Sequence, residues 1–253
     1  MELFNNHSSK FSDWAAGHHV GAHLVLPGLM SLILMAMYFS GNPFLQNIVA
    51  PTLHDVPLFS AREFGALEML QNFLLLCICF YSMRGFIFAN SYWVKLITFL
   101  LLVLSVFTFL EEIDYGTHFV EYLTGEYGSL AQETWSRNWH NKAGADGVQN
   151  VSHIKLAANI GLLTGFVLGP LLFSNSRHSL IRLLVPSKWM ISTVILIVLL
   201  SLLAKWLDGA GYSIINGVHG NLDKNISEFR ELNMYYVLML YTALLYRRIC
   251  IMR

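Results

Sequence analysis

Six apolar runs, at about residues 24–40, 69–83, 96–110, 156–174, 189–204 and 234–246, constrain the fold more than any other feature of the chain. They are continuous in Leu, Ile, Val and Phe and lack a period of two, which argues against the alternating strands of a membrane barrel and for helices. Only 13% of the residues are charged and 55% are hydrophobic, against about 25% charged in a soluble domain. Several runs fall short of the roughly 20 residues that cross the hydrocarbon core. They must borrow flanking residues such as Trp93, Lys95, Lys205 and Trp206, which suit the interface or can snorkel to it. The expected fold is all-α: a polytopic membrane helix bundle of about six transmembrane helices, forming a single integral membrane domain over residues 1–253. No internal repeat, low-complexity tract or second domain is visible.

Net charge is zero, but the charges are sorted. With six spans, the N-terminal segment, the Arg84/Lys95 and Arg177/Arg182/Lys188 connections and the C-terminal tail share one side and hold nine of the 16 Lys and Arg. The positive-inside rule makes that side cytoplasmic, so both termini are expected there, at the plasma (inner) membrane if the source is bacterial. The opposite, non-cytoplasmic side holds 14 of the 16 acids. Residues 1–21 are polar, and the run that follows is longer than a signal h-region and lacks a small-residue cleavage pattern, so it reads as an uncleaved anchor after a cytoplasmic segment. His18, His19 and His23 are expected to be interfacial residues. Cys77 and Cys79 lie inside a span and Cys250 near a span end, so no disulfide framework or cysteine-based zinc site is implied.

Acids gather where spans meet the non-cytoplasmic connections. The first connection carries Pro43, Pro51 and Pro57, cannot be one helix, and runs into Glu63 and Glu68. Glu68, Gln71 and Asn72 fall on one helical face, which should look into the bundle as an interhelical clamp or as part of a site. The second, residues 111–153, is the longest and is expected to be partly helical. Glu111, Asp114, His118 and Tyr122 follow i, i+3, i+7, i+11, and would share one face if the helix of the third span continued. The third is rich in glycine and ends at Glu228 and Glu231, with Ser227 as a candidate N-cap. Pro170 lies near the cytoplasmic end of the fourth span and reads as a terminator.

Carboxylates mixed with imidazole at helix mouths are what a divalent metal ion would recruit, and such an ion could activate water or polarise a phosphoryl or carbonyl oxygen. The candidate metal ligands are Glu111, Glu112, Asp114, His118, His140, Glu228 and Glu231, with Glu68 and Asn141 in support; Glu111, Glu112 and His140 are the catalytic candidates. The competing readings are a polar network with Arg62, Arg137 or Arg230, and solvated charge. No His-Glu-x-x-His, acidic calcium loop, Gly-x-Ser-x-Gly elbow or phosphate-binding glycine loop is present.

The segments Phe109-Leu-Glu-Glu-Ile-Asp-Tyr-Gly116, Gln132-Glu-Thr134 and Asn138-Trp-His-Asn141 resemble a group of bacterial multi-span membrane proteins. Their pattern reads Glu-Glu-Ile-Ser-Trp-Gly-Gln, followed by a Glu-Thr-Asn-Leu-His-Asn block. Here Asp-Tyr-Gly-Thr stands for Ser-Trp-Gly-Gln, and extra residues separate the Glu-Thr from the His-Asn. The resemblance implies a membrane class and a site around Glu111, Glu112, Gly116, His140 and Asn141, and it implies no reaction.

The leading expectation is a metal-dependent membrane enzyme acting on lipid or lipid-linked substrates, with membrane lipid as its partner and no role for nucleic acid. A non-catalytic binding or assembly subunit of a membrane complex, docked on a membrane-protein partner, is the alternative. A transporter ranks third, because charges at mid-membrane depth are scarce and no broken helix pair recurs between halves.

Overall fold

The structure, a computed structural model, describes residues 20–51, 64–125, 150–222 and 225–252. Six helices are long and apolar enough to cross a membrane: Gly21–Tyr38, Ala66–Phe88, Tyr92–Glu112, Lys155–Phe173, Trp189–Gly209 and Glu228–Ile251. They coincide with the six apolar runs, so the chain is an all-α helix bundle of multi-pass membrane type. The second and sixth spans extend beyond their apolar runs at both ends, taking in Glu68 and Glu228 and Glu231 at their starts and Arg84 and Arg247 and Arg248 at their ends. Hydropathy stops at such residues, but a helix continues through them where a neighbouring helix meets their polar atoms. At 24 residues the sixth span is about 36 Å long, ample for a hydrocarbon core of about 30 Å.

The first span opens with a π-helical turn, Gly21–Val25, and continues as α1 (Leu26–Tyr38). A short α2 (Pro43–Val49) follows, with Pro43 in its first turn and the Asn42 side chain accepting from Phe44 N at 2.9 Å as its N-cap. The second and third spans are α3 (Ala66–Phe88) and α4 (Tyr92–Glu112), after which come a 3₁₀ turn, Asp114–Gly116, and α5 (Thr117–Thr124). The fourth span is built from α6 (Asn150–Gly161), a π-helical stretch Leu162–Leu168, and α7 (Gly169–Phe173). Pro170 follows the π-helical stretch without a break in the helix and lies three residues before the fourth span ends at Phe173. Then come α8 (Ser179–Leu184), α9 (Trp189–Gly209), a hairpin of β1 (Ile214–Ile215) and β2 (Val218–His219), and α10 (Glu228–Ile251). Asn216 and Gly217, at φ of 53° and 78°, make the two-residue hairpin turn.

Helix α10 lies at the centre. It packs most extensively against α3 and also touches α9, α1 and α8, while α4 rests on α3 and the fourth span leans on α9. Buried polar pairs fix these contacts. Ser31 Oγ and Asn233 bond reciprocally between α1 and α10, at 2.7 and 3.0 Å. His23 is buried rather than interfacial, because its Nδ1 meets Thr193 Oγ1 of α9 at 3.0 Å.

The end where α1 stops and α3 and α10 begin is stitched by its connections. The Tyr38 hydroxyl accepts from Leu222 N at 3.0 Å, Gln46 Nε2 donates to Ser213 O at 2.9 Å, and Asn221 donates to Pro51 O. Beneath them lies an aromatic core of Tyr38, Phe39 and Phe229. Facing outward are large apolar side chains such as Phe73, Ile87, Leu104, Leu172 and Leu199, as expected of helices solvated by lipid.

Candidate functional site

Three residues on one face of α10 are each met by a different helix. Glu228, Glu231 and Tyr235 stand at i, i+3 and i+7, which the helical period places on one side. Gln71 of α3 reaches the first: its Nε2 donates to Glu228 O at 3.1 Å and to Glu228 Oε2 at 3.2 Å. Lys155, at the mouth of the fourth span, pairs with Glu231 Oε1 at 3.0 Å. Glu112, in the last turn of α4, accepts a hydrogen bond at 2.6 Å from the Tyr235 hydroxyl. Glu228, Glu231 and Glu112 thus bring three carboxylates to the face of α10 that carries Tyr235.

Burial separates these acids. Glu68 is 2% exposed, Glu111 5% and Glu228 6%, whereas Glu112 and Glu231 are half-buried. Glu68 and Glu228 lie in the first turns of α3 and α10, where the helix dipole favours a carboxylate. Glu111 and Glu112 lie at the wrong end of α4 for that, and hydroxyl donors compensate. Tyr235 serves Glu112, and Tyr115 donates to Glu111 Oε1.

Tyr115 does so from a left-handed backbone, φ 53° and ψ 25°, and Gly116 follows at φ 85°. That conformation costs a tyrosine about 1–2 kcal/mol, and it turns the chain out of the axis of α4. The continuous helical face expected through Glu111, Asp114, His118 and Tyr122 is therefore broken, because two left-handed residues reset the phase before α5 begins.

Ser227 precedes α10 but makes no cap with its side chain; its Oγ instead accepts from Lys155 Nζ at 2.9 Å. Glu231 keeps that ammonium paired, so Lys155 is a positioned cation here and not a base for Ser227.

The described candidates thus fall into two groups. Glu112, Glu228 and Glu231 converge on α10, Glu68 lies one turn before Gln71 on α3, and Glu111 turns to Tyr115. Asp114 lies in the 3₁₀ turn and His118 in α5. His140 and Asn141, together with Arg62 and Arg137, lie outside the described residues. Among the described residues, no three of His, Cys, Asp and Glu come together as a group able to hold a metal ion. Two contributors escaped the sequence reading. Lys155 is a lone cation at the mouth of an apolar run, which is a usable signal; Tyr235, an aromatic within a span, gives none.

Compared with protein-family models, curated proteins and solved structures, the chain finds no match.

Proposed function

We propose that the chain is a membrane-embedded enzyme acting on the polar head of a lipid or lipid-linked substrate. The observation that carries this reading is the Glu112–Tyr235 hydrogen bond, at 2.6 Å, set among Glu228 and Glu231 where two spans begin and one ends. A short carboxylate–phenol contact is a suitable unit for moving a proton, with Glu112 taking it from an attacking hydroxyl and Tyr235 orienting the carboxylate. Lys155 supplies a positive charge beside it, suited to a phosphate oxygen. Access suits a lipid: α4 and the fourth span, whose ends contribute Glu112 and Lys155, are the least buried of the six spans. A substrate chain can lie against either while its head meets Glu112, Tyr235 and Lys155. The acidic end then faces away from the cytoplasm and both termini face it, an orientation supported by the nine basic residues of the opposite end. The resemblance around Glu111 and Glu112 supports a site at the same end of the bundle, in the plasma (inner) membrane if the source is bacterial.

Glu112→Gln keeps shape while removing charge. In nanodiscs, Glu112→Gln and Tyr235→Phe should unfold within a few degrees of wild type, while the lipid-linked species that copurify with each change by mass spectrometry. His140→Ala tests whether that residue joins the same chemistry. If these variants and a Glu68→Gln control all fail to fold, the cluster is a helix clamp and the enzyme reading falls.

A binding or assembly subunit is the second reading, favoured by the fourth span. Gly161 and Gly165 have open space where a Cβ would stand, which leaves room for the close approach of a partner helix. Leucine at Gly165 should then abolish a crosslinked complex in native membranes without lowering the yield of the chain.

A further inference from the structure

We propose that Arg84 of α3 and Tyr246 of α10 hold the phosphate of an anionic phospholipid, in the leaflet at the basic end of the bundle, away from Glu112 and Tyr235. The Arg84 guanidinium lies 4.6 Å from the centre of the Phe88 ring and 5.6 Å from that of Tyr246, and its Nη2 donates to the Tyr246 hydroxyl at 3.1 Å. Aromatic rings engage the face of a guanidinium and leave its edge to other partners. Of the five N–H groups on that edge, one serves Tyr246, and the Nε is buried without an acceptor. Three remain on Nη1 and Nη2, in the planar fork that suits a phosphate.

The described chain supplies no counter-charge. Residues 20–51, 69–110, 155–207 and 232–253 contain no Asp or Glu, so among the described residues no carboxylate stands at this end of the bundle. Arg248 shows the alternative arrangement: its Nη1 donates to Leu183 O and Val185 O at 2.9 and 2.6 Å, carbonyls at the end of α8. Arg84 has no such carbonyls. It also lies just before the last turn of α3, beyond which the helix dipole fades. A half-buried cation with an orphaned Nε is costly at the edge of hydrocarbon and calls for an anion.

The surroundings identify that anion as a lipid. Tyr92 and Trp93, which open α4 four and five residues after Phe88, are exposed aromatics of the kind that marks the headgroup level. Met83 and Ile87 flank Arg84 on α3 and are 42% and 60% exposed, so acyl chains can run along the helix beside it. The phosphate then sits at the level of the guanidinium with its chains against α3. A headgroup of net negative charge is preferred to phosphatidylcholine, whose own ammonium already offsets its phosphate.

The test is native mass spectrometry of the full chain, taken from vesicles of equal phosphatidylcholine and phosphatidylglycerol, which counts the lipids that stay bound. One phosphatidylglycerol per chain is expected in preference to phosphatidylcholine, its affinity falling on the order of tenfold or more in Arg84→Met. Methionine keeps an apolar stem beside Phe88 and removes the charge, so the variant should fold. In delipidated protein, phosphatidylglycerol should raise the Tm of wild type and leave that of Arg84→Met unmoved. Lys95→Gln removes an exposed charge from the same end and should change neither result. Equal retention of the two lipids by wild type, as when Asp13 of the N-terminal segment neutralises the guanidinium, overturns the site. An equal loss in Lys95→Gln overturns it too, since diffuse surface charge would then account for the binding. Displacement of the lipid by inorganic phosphate at constant ionic strength would show a free-anion site and overturn the lipid assignment.

Discussion

Gly65 and Gly161 are both glycines beside a span, and their surroundings predict opposite responses to the same methyl group. A Cβ at Gly65 would stand 2.2 Å from Val49 O and 2.9 Å from Pro51 Cδ, atoms of the chain that have no room to yield. Gly65→Ala should therefore separate α2 from the start of α3 and sharply reduce the folded yield in detergent, read by size-exclusion chromatography. Gly161→Ala meets nothing within 4 Å and should leave that yield unchanged. Tyr235→Phe removes the hydroxyl that half-buried Glu112 accepts from at 2.6 Å, a hydrogen bond that contributes on the order of 1 kcal/mol. The urea unfolding midpoint should drop slightly, and in a Glu112→Gln background the same change should cost less, because a neutral acceptor makes the weaker hydrogen bond. At this scale the sequence showed the acids and not their partners. Glu112 stands out as a carboxylate closing an apolar run, while Tyr235 is one aromatic among many, paired to it across 123 residues by packing alone.

At the scale of elements the six spans were legible and their ends were not. Apolar length marks a helix that must cross lipid, but the first turns of α3 and α10 are polar and helical because they face each other. The turn after α4 was hidden for another reason: the residue that takes the left-handed backbone is a tyrosine, where glycine or asparagine is usual. The hairpin turn at Asn216-Gly217 carried a strong local signal, masked by the many glycines around it. Helix α5 leaves Val120 and Leu123 exposed, at 48% and 81%, three residues apart and so on one side. Such a helix is expected to lie on the membrane surface with those two residues in the interface. Nitroxide labels at each should be relaxed more by oxygen than by a water-soluble nickel complex. Rapid, water-like tumbling at Leu123 would show that α5 stands clear of the bilayer.

For the whole molecule, six spans in succession put Thr124 and Asn175, the described ends of two connections, on opposite sides. In a background with Cys250 replaced, a cysteine at Thr124 should react with an impermeant thiol reagent from outside intact cells, and one at Asn175 should not. The reverse result would invert the orientation, and equal labelling would refute six spans. The central place of α10 has a consequence for how the protein is made. Ser31, Gln71, Glu112 and Lys155 all find a partner on α10, at Asn233, Glu228, Tyr235 and Glu231. Of the six spans, α10 is the last to leave the ribosome. Four of the five earlier spans must therefore wait in the bilayer with these bonds to α10 unmade, a state open to membrane proteases until the sixth span arrives.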